Sequence, residues 1–143
     1  MWHSISVMNK KTASNNPTIV VIDDDAGIRE SLKDLLALEN WECAVAATAK
    51  EGLALVEALQ PELLVTDVQL PDMSGYQLCQ SIKRDPSYRG IPVVMITGRF
   101  TEPDDKVQGF ESGADEFFSK PFDPFLFVAR IKSILRGLTP QAA

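Results

Sequence analysis

The stretch IVVIDDD, residues 19–25, joins a β-branched apolar run directly to three aspartates. An uninterrupted apolar run of this length is typical of a strand that is buried on both faces of a parallel sheet. LLVTD (63–67), VVMIT (93–97) and FFSK (117–120) have the same form. Because the carboxyl ends of parallel strands meet at one edge of a sheet, the polar residues that end these runs are predicted to converge there. These residues are Asp23, Asp24, Asp67, Thr97 and Lys120.

From this stretch to the end of the chain, predicted strands and helices alternate five times. The predicted strands are residues 19–22, 42–46, 63–66, 91–97 and 116–119, and the segments between them have apolar residues at helical spacing. Such alternation predicts an α/β fold with right-handed crossovers and helices on both faces of a parallel sheet. Five units in this length fit a five-stranded, flavodoxin-like sheet in the order 2-1-3-4-5. That order makes strands 1 and 3 neighbours, which brings the aspartates together.

Helix boundaries are indicated by capping residues. Thr48 is predicted to cap the second helix, and Asp123 is predicted to cap the last helix, which Gly137 would close. The fourth helix is predicted at residues 104–112, with Gly113 just beyond its end. Asp25 and Asp72 are interpreted as cap or turn residues rather than ligands. Three arginines are expected on solvated helix faces: Arg29, Arg130 and Arg136.

The composition limits the kinds of protein this can be. The chain has 143 residues, enough for one domain at residues 18–138, and we expect a flexible leader at 1–17 and a short tail at 139–143. The net charge of −6 disfavours nonspecific nucleic-acid binding, and we expect no direct contact with nucleic acid. With no secretory signal or membrane-length apolar run in the sequence, we expect a cytoplasmic protein without membrane contact. Cys43 and Cys79 lie in apolar patterns and are interpreted as buried free thiols.

The converging residues suggest a site for a divalent cation and a phosphoryl group. Three neighbouring carboxylates repel one another, and a hard cation such as Mg²⁺ relieves that repulsion without protonation. Asp67 is central and is the candidate nucleophile, since a carboxylate can accept a phosphoryl group as an acyl phosphate. Lys120 could pair with the carboxylate or with phosphoryl oxygens, and Thr97 could donate a hydrogen bond to them. The sole histidine is His3, so a histidine-based catalytic centre is excluded.

Four motifs together carry a family resemblance. They are VIDDDAGIRESL, LLVTDVQLPDMSG, PVVMITG and GADEFFSKPF, in this order. In these motifs residues 18–138 resemble the receiver domain of bacterial two-component response regulators, of the chemotaxis-regulator type. The resemblance implies that Asp67 is the phosphoacceptor. It also implies that Asp24, Asp67 and the backbone carbonyl of Gln69 bind Mg²⁺ directly, with Asp23 acting through a metal-bound water.

The same resemblance assigns the switch residues. Thr97 and Phe117 match the switch hydroxyl and switch aromatic of the family, and Lys120 matches the phosphate-pairing lysine. The Lys120–Pro121 peptide bond is expected to be cis. Gln69 and Arg99 are expected to border the phosphoryl group and to limit its hydrolysis.

The implied function is a phosphorylation-controlled signalling switch rather than an enzyme. A histidine kinase or a histidine phosphotransfer protein would donate the phosphoryl group, and the partner downstream would be a protein or a second copy of the chain. One alternative is a phosphohydrolase that forms an aspartyl phosphate, although Gln69 stands where such enzymes typically place an acidic residue. Another is a pseudo-receiver that acts only by protein binding.

Phe125 and Leu126 fall outside the apolar stripe of the last helix, which comprises Phe127, Ile131, Ile134, Leu135 and Leu138. Adjacent exposed apolar residues can mark an interaction site. By resemblance, Phe125 and Leu126 would extend the output surface formed by the fourth helix, fifth strand and fifth helix. The local alternative is that Phe125 folds against Phe122 or is covered by the leader.

Overall fold

The computed structural model describes residues 16–98 and 103–138, so most of the expected leader, the tail at 139–143 and Arg99 lie outside the described residues. The strands are β1 (Thr18–Ile22), β2 (Glu42–Ala46), β3 (Leu63–Asp67), β4 (Val93–Thr97) and β5 (Glu116–Ser119). The helices are α1 (Ala26–Ala37), α2 (Ala49–Leu59), α3 (Gly75–Arg84), α4 (Pro103–Glu111) and α5 (Pro124–Leu138).

All five strands pair in parallel in the order β2-β1-β3-β4-β5, which confirms the predicted flavodoxin-like α/β fold. The first strand starts one residue earlier than predicted, and the third extends one residue further, to Asp67. The fourth starts at Val93 rather than at residue 91. Ile91 belongs to the preceding turn, because its N–H donates to the carbonyl of Tyr88.

Successive side chains of each strand enter opposite layers of the core. In β1, Val20 and Ile22 belong to one buried cluster, whereas Ile19 and Val21 belong to the other. The first cluster includes Val56 of α2 and Leu78 of α3, and the second includes residues of α1 and α5. Both faces of the sheet are therefore covered, which explains why the strands read as continuous apolar runs.

The cysteines lie on opposite faces of the sheet. Cys79 is buried in the layer under α2 and α3, whereas Cys43 is half-buried against the layer under α1 and α5. Both are free, and desolvation raises the pKa of Cys43 to about 11. The prediction of buried thiols is confirmed for Cys79 and holds only partly for Cys43.

The predicted caps are confirmed at three helices. The Asp25 carboxylate accepts hydrogen bonds from the N–H groups of Gly27 and Ile28, at 2.8 and 3.2 Å. Thr48 Oγ1 accepts from the N–H of Glu51, and Asp123 accepts from the N–H of Phe125. These oxygens satisfy N–H groups that have no partner inside their own helix.

The two glycines that were predicted to end helices behave differently. Gly113 follows α4 with a φ of +107°, in the left-handed region that favours glycine after a helix. The prediction that Gly137 closes the last helix is wrong, because α5 continues through Gly137 to Leu138. Gly137 has no positive φ and so does not form the left-handed turn that ends a helix at glycine.

Among the residues that the structure describes, no helix is long and apolar enough to cross a bilayer.

Candidate functional site

The strand register brings the predicted polar residues to one edge of the sheet. Ile22 pairs with Thr66, so the next residues along the two chains, Asp23 and Asp67, lie side by side. Asp67 in turn pairs with Ile96, the residue before Thr97. On the far side, Thr97 pairs with Ser119, which precedes Lys120. The ends of β1, β3, β4 and β5 therefore contribute to one site.

Asp23 is fully buried, and each of its oxygens has a donor. Oδ1 accepts from the N–H of Asp25 at 2.9 Å, and Oδ2 lies 2.7 Å from the Lys120 ammonium. The backbone carbonyl of Asp23 accepts from Arg29 Nη1 at 2.8 Å. A buried carboxylate is tolerated only when such partners replace water.

Asp67 is the second buried carboxylate of the site, with an exposed fraction of 8%. Its Oδ1 accepts from the backbone N–H of Gln69 at 3.3 Å, and its Oδ2 lies 3.6 Å from the Lys120 ammonium. Burial and then the charge of Asp23 raise the pKa of Asp67, against the lowering effects of Lys120 and the backbone N–H groups of Gln69 and Val68. Asp67 is thus held where its ionised form is disfavoured.

Asp24 completes the acidic group and is exposed. Asp23, Asp24 and Asp67 each have one carboxylate oxygen that lies within 4.8 Å of those of the other two. The set combines two buried carboxylates with one that faces solvent. A cation could reach this group from solvent through Asp24.

Lys120 links the two buried carboxylates, and its shorter ion pair is with Asp23 rather than with Asp67. The Lys120 N–H donates to the carbonyl of Thr97 at 2.6 Å, which fixes the lysine beside the end of β4. The Lys120–Pro121 peptide bond is cis. Thr97 is buried, with an exposed fraction of 4%, next to the strand that carries Asp67.

Phe117 is buried in β5 and packs against α4. A Cβ added at Gly109 of α4 would lie 2.7 Å from the Phe117 ring, so this helix approaches the ring through a glycine. The close approach leaves no room for a larger side chain at Gly109. Phe117 in β5 therefore contacts α4 directly, three residues before Lys120.

The segment after Lys120 directs Phe122 inward and Phe125 outward. Phe122, Phe118 and Phe127 form an aromatic cluster with ring centroids 4.7–5.9 Å apart. Phe125 has an exposed fraction of 86%, and Leu126 one of 51%. The interpretation in which Phe125 folds against Phe122 is wrong, because the Phe125 side chain is almost fully exposed. The alternative in which the leader covers Phe125 falls mostly on residues outside the described part of the chain.

Sequence reasoning assigned Arg29 to a solvated helix face, and that prediction is wrong. Arg29 is half-buried and donates to the carbonyl of Asp23, six residues back. Arg29 lies one turn into the helix that follows the aspartates, and this position was the sequence feature that could have indicated its contact with Asp23. Arg130, by contrast, is largely exposed and pairs loosely with Glu116 at 3.5 Å, and Arg136 is exposed.

Asp72 is a cap, as predicted, but of an unexpected helix. Its carboxylate accepts from the N–H groups of Ala49 and Lys50, both at 2.9 Å, and these amides lower its pKa. The capped helix is therefore α2, which precedes Asp72 in the chain, rather than α3, which follows it. Nothing in the local sequence indicates this contact across 22 residues.

Comparison with known proteins identifies the family. The family model for the response regulator receiver domain matches residues 19–132. The chain belongs to this family, and the resemblance noted in its motifs is confirmed.

Its relatives are response regulators. The phosphate regulon transcriptional regulatory protein PhoB of Pseudomonas aeruginosa is 39% identical over 123 residues, which is 86% of this chain and 53% of PhoB. The DNA-binding response regulator MtrA of Mycobacterium tuberculosis is 40% identical, covering 82% of this chain and 50% of MtrA. A CheY-like receiver domain protein from Methanospirillum hungatei has a TM-score of 0.78 and 34% identity over 85% of this chain and 95% of the solved one.

The chain thus spans about half the length of the curated relatives it matches. MtrA is described as DNA-binding, so the expectation that this protein makes no direct contact with nucleic acid is not confirmed. The shared family does establish the chain as a receiver domain of two-component signalling, and it does not favour the phosphohydrolase and pseudo-receiver alternatives.

The raised pKa of Asp67 predicts how replacing it changes stability with pH. Above the ordinary aspartate pKa of about 3.9, ionisation of Asp67 costs folding free energy. Below that pH the carboxyl group is protonated in both the folded and unfolded states, and the cost disappears. In EDTA at pH 7, Asp67→Asn should therefore melt at a higher temperature than the wild type.

The same melting comparison at pH 3 is the internal control, and the difference between the two proteins should shrink there. A variant that melts below the wild type at pH 7, or a difference that grows towards acid pH, would contradict the cost of burying the ionised Asp67 carboxylate beside Asp23.

Proposed function

We propose that Asp67 accepts a phosphoryl group from a phosphohistidine of a partner protein, and that this reaction switches the receiver domain. The observation that carries the proposal is the clustering of Asp67 with Asp23, Asp24 and Lys120 at one sheet edge. Two features of Asp67 support this role. It is fixed by a backbone hydrogen bond, and it lies beside an exposed carboxylate at the mouth of the site.

The acidic group fits Mg²⁺. Three carboxylates are paired with one lysine, so the ionised group has an excess of negative charge, and oxygen is the ligand that Mg²⁺ prefers. Asp24, Asp67 and the backbone carbonyl of Gln69 would hold the ion directly, and Asp23 would hold it through a water. When bound, the ion would neutralise charge between Asp67 and the oxygens of an incoming phosphoryl group.

In the proposed transfer, an Asp67 carboxylate oxygen forms a bond to phosphorus as the phosphorus–nitrogen bond of the phosphohistidine breaks. The electron pair of that bond returns to the imidazole nitrogen, and the product is an acyl phosphate on Asp67. The chain supplies position and charge rather than a proton donor. Lys120 would bind a phosphoryl oxygen, and Thr97 would donate its hydroxyl hydrogen to another.

Lys120 would also report the reaction. Its ammonium is 2.7 Å from Asp23 and 3.6 Å from Asp67, so it is shared between two carboxylates. Added negative charge on Asp67 shifts that balance towards Asp67. The Lys120 N–H is bonded to the carbonyl of Thr97, and Lys120 directly follows β5, the strand that contains Phe117. A movement of Lys120 would therefore be transmitted along β5 to the side that faces α4.

The first test of this proposal is phosphoryl uptake. Wild-type protein incubated with acetyl phosphate and Mg²⁺ should gain one labile phosphoryl group, whereas Asp67→Asn should gain none and should remain folded. Asp123→Asn removes a different carboxylate, and asparagine caps helices as well as aspartate does, so this control should be phosphorylated like the wild type. Intact-mass measurement reports all three, and undiminished uptake by Asp67→Asn would refute the assignment.

A second prediction concerns the metal. Mg²⁺ at about 100 times its dissociation constant should stabilise the native wild type by about 2.7 kcal/mol through mass action. Asp24→Ala should lose most of that stabilisation, since Asp24 is the solvent-facing ligand. Asp34→Ala, which removes an exposed carboxylate from α1, is the matched control.

Melting curves with and without Mg²⁺ measure this effect. An equal rise in melting temperature for Asp24→Ala and Asp34→Ala would mean that Asp24 does not hold the ion.

The output surface of the domain is proposed to include Phe125 and Leu126, on the face formed by α4, β5 and α5. Both side chains are exposed at the start of α5, and Val107 and Phe110 of α4 are also exposed large apolar residues. Exposed apolar residues favour a protein partner or a second copy of the chain. Phosphorylation would shift a pre-existing equilibrium towards the state that binds through this face.

The double variant Phe125→Glu, Leu126→Glu should therefore lose phosphorylation-dependent self-association or partner binding, while still accepting the phosphoryl group. Leu38→Glu adds a charge at another exposed leucine, at the end of α1, and should bind like the wild type. Sedimentation before and after phosphorylation measures assembly. Wild-type assembly of the double variant in both states would remove these residues from the output surface.

The arrangement of the wider protein is also a proposal. Residues 18–138 would form the receiver domain, 1–17 a leader and 139–143 a tail or the start of a linker. A histidine kinase or histidine phosphotransfer protein would be the donor. The match of the family model to residues 19–132 supports a receiver domain at residues 18–138. The chain matches only about half of PhoB and of MtrA, which is consistent with a further domain in those relatives.

A further inference from the structure

The loop between β3 and α3, residues 68–74, is closed at its base. Gln69 and Ser74 pair in an isolated antiparallel bridge. Beside them, the N–H of Gly75 donates to the carbonyl of Val68 at 2.6 Å. The base of the loop is therefore a short, hydrogen-bonded neck that begins immediately after Asp67.

The tip of the same loop is tied to α2 through Asp72. The two oxygens of this one carboxylate accept separately from the N–H groups of Ala49 and Lys50, at 2.9 Å each. These are the first two amides of α2. The helix supplies the remainder of its own cap, with Thr48 Oγ1 bound to the N–H of Glu51. Asp72 thus completes the cap of a helix that lies on a separate segment of the chain.

The neck of the loop reaches the site. The backbone N–H of Gln69 donates to Oδ1 of Asp67, which orients the carboxylate. Gln69 therefore lies opposite Ser74 in the neck, where the hydrogen bond joins the flanking residues Gly75 and Val68, and its own N–H donates to Asp67 within the site. The Gln69 backbone is thus the part of the loop that contacts the Asp67 carboxylate.

We propose that Asp72 is a positioning residue of the site: by fixing the loop 68–74 on the N-terminus of α2, it holds the Gln69 backbone in place against Asp67. This inference rests on the proposed function, because it assigns Asp72 a role in the site that binds Mg²⁺ and the phosphoryl group. Leu70 and Met73 pack against the core cluster, so the loop remains attached to the domain without Asp72. Its loss should therefore shift the loop rather than unfold it.

The test compares Asp72→Ala with Thr48→Ala. Both variants weaken the cap of α2, but only the first releases the loop. Calorimetry should give a Mg²⁺ dissociation constant about tenfold higher for Asp72→Ala, the lower end of the effect of removing an outer support of a metal site. Hydrogen exchange at the Gln69 amide should be faster in this variant. Thr48→Ala should match the wild type in both measurements.

Asp72→Asn is the conservative variant. It keeps one acceptor oxygen for one of the two α2 amides, and it should give values between those of Asp72→Ala and the wild type in both measurements. Its milder change also preserves the comparison if Asp72→Ala does not fold.

The outcomes separate this inference from the proposed function. If wild-type protein does not bind Mg²⁺, the proposed function fails, and Gln69 amide exchange still decides whether Asp72 positions the loop. If the wild type binds Mg²⁺ and the Asp72 variants match Thr48→Ala in both affinity and Gln69 exchange, Asp72 is only a helix cap and the inference is overturned.

Discussion

The repulsion between Asp23 and Asp67 is the constraint on which the arrangement of the site depends. Parallel pairing of β1 with β3 in this register places the two carboxylates side by side, and both are buried. The surrounding chain compensates with donors, of which the Lys120 ammonium is the one shared by both carboxylates. A buried ion pair of this kind contributes little net stability. In the proposed function, the net negative charge of the group would attract a cation, which in turn would bind a phosphoryl group.

The rest of the domain supplies rigidity to that edge. Two apolar layers, one on each face of the sheet, hold the five strands in register, and the register alone determines which residues meet at the site. The loops at the edge are then fixed individually by hydrogen bonds. Arg29 bonds the end of β1, Lys120 bonds the end of β4 through its own backbone, and Asp72 bonds the loop after β3 to α2. Positioning of this type is the main requirement of phosphoryl transfer, in which the protein contributes little covalent chemistry.

Most of the fold could be predicted from the sequence because the strands are short, mainly apolar runs, and every strand except β2 ends in a polar residue or is followed directly by one. The same pattern predicted which residues gather at the site. The failures occurred where the decisive contact is tertiary. Arg29 was assigned to solvent because helical periodicity says nothing about a guanidinium that reaches back to a strand end. The helix that Asp72 caps could not be inferred, since the contact joins segments 22 residues apart. Gly137 is a glycine, the residue that often ends a helix, but it lies within α5 and adopts the helical conformation.

The most direct test of this account locates the phosphoryl group within the chain. Protein phosphorylated with acetyl phosphate can be reduced with borohydride, which converts an aspartyl phosphate to homoserine, and then digested and sequenced by mass spectrometry. We expect homoserine at position 67, dependent on Mg²⁺, with Asp23 and Asp24 unmodified. Homoserine at Asp23 or Asp24, or modification of Asp67 that is equally fast in EDTA, would contradict it.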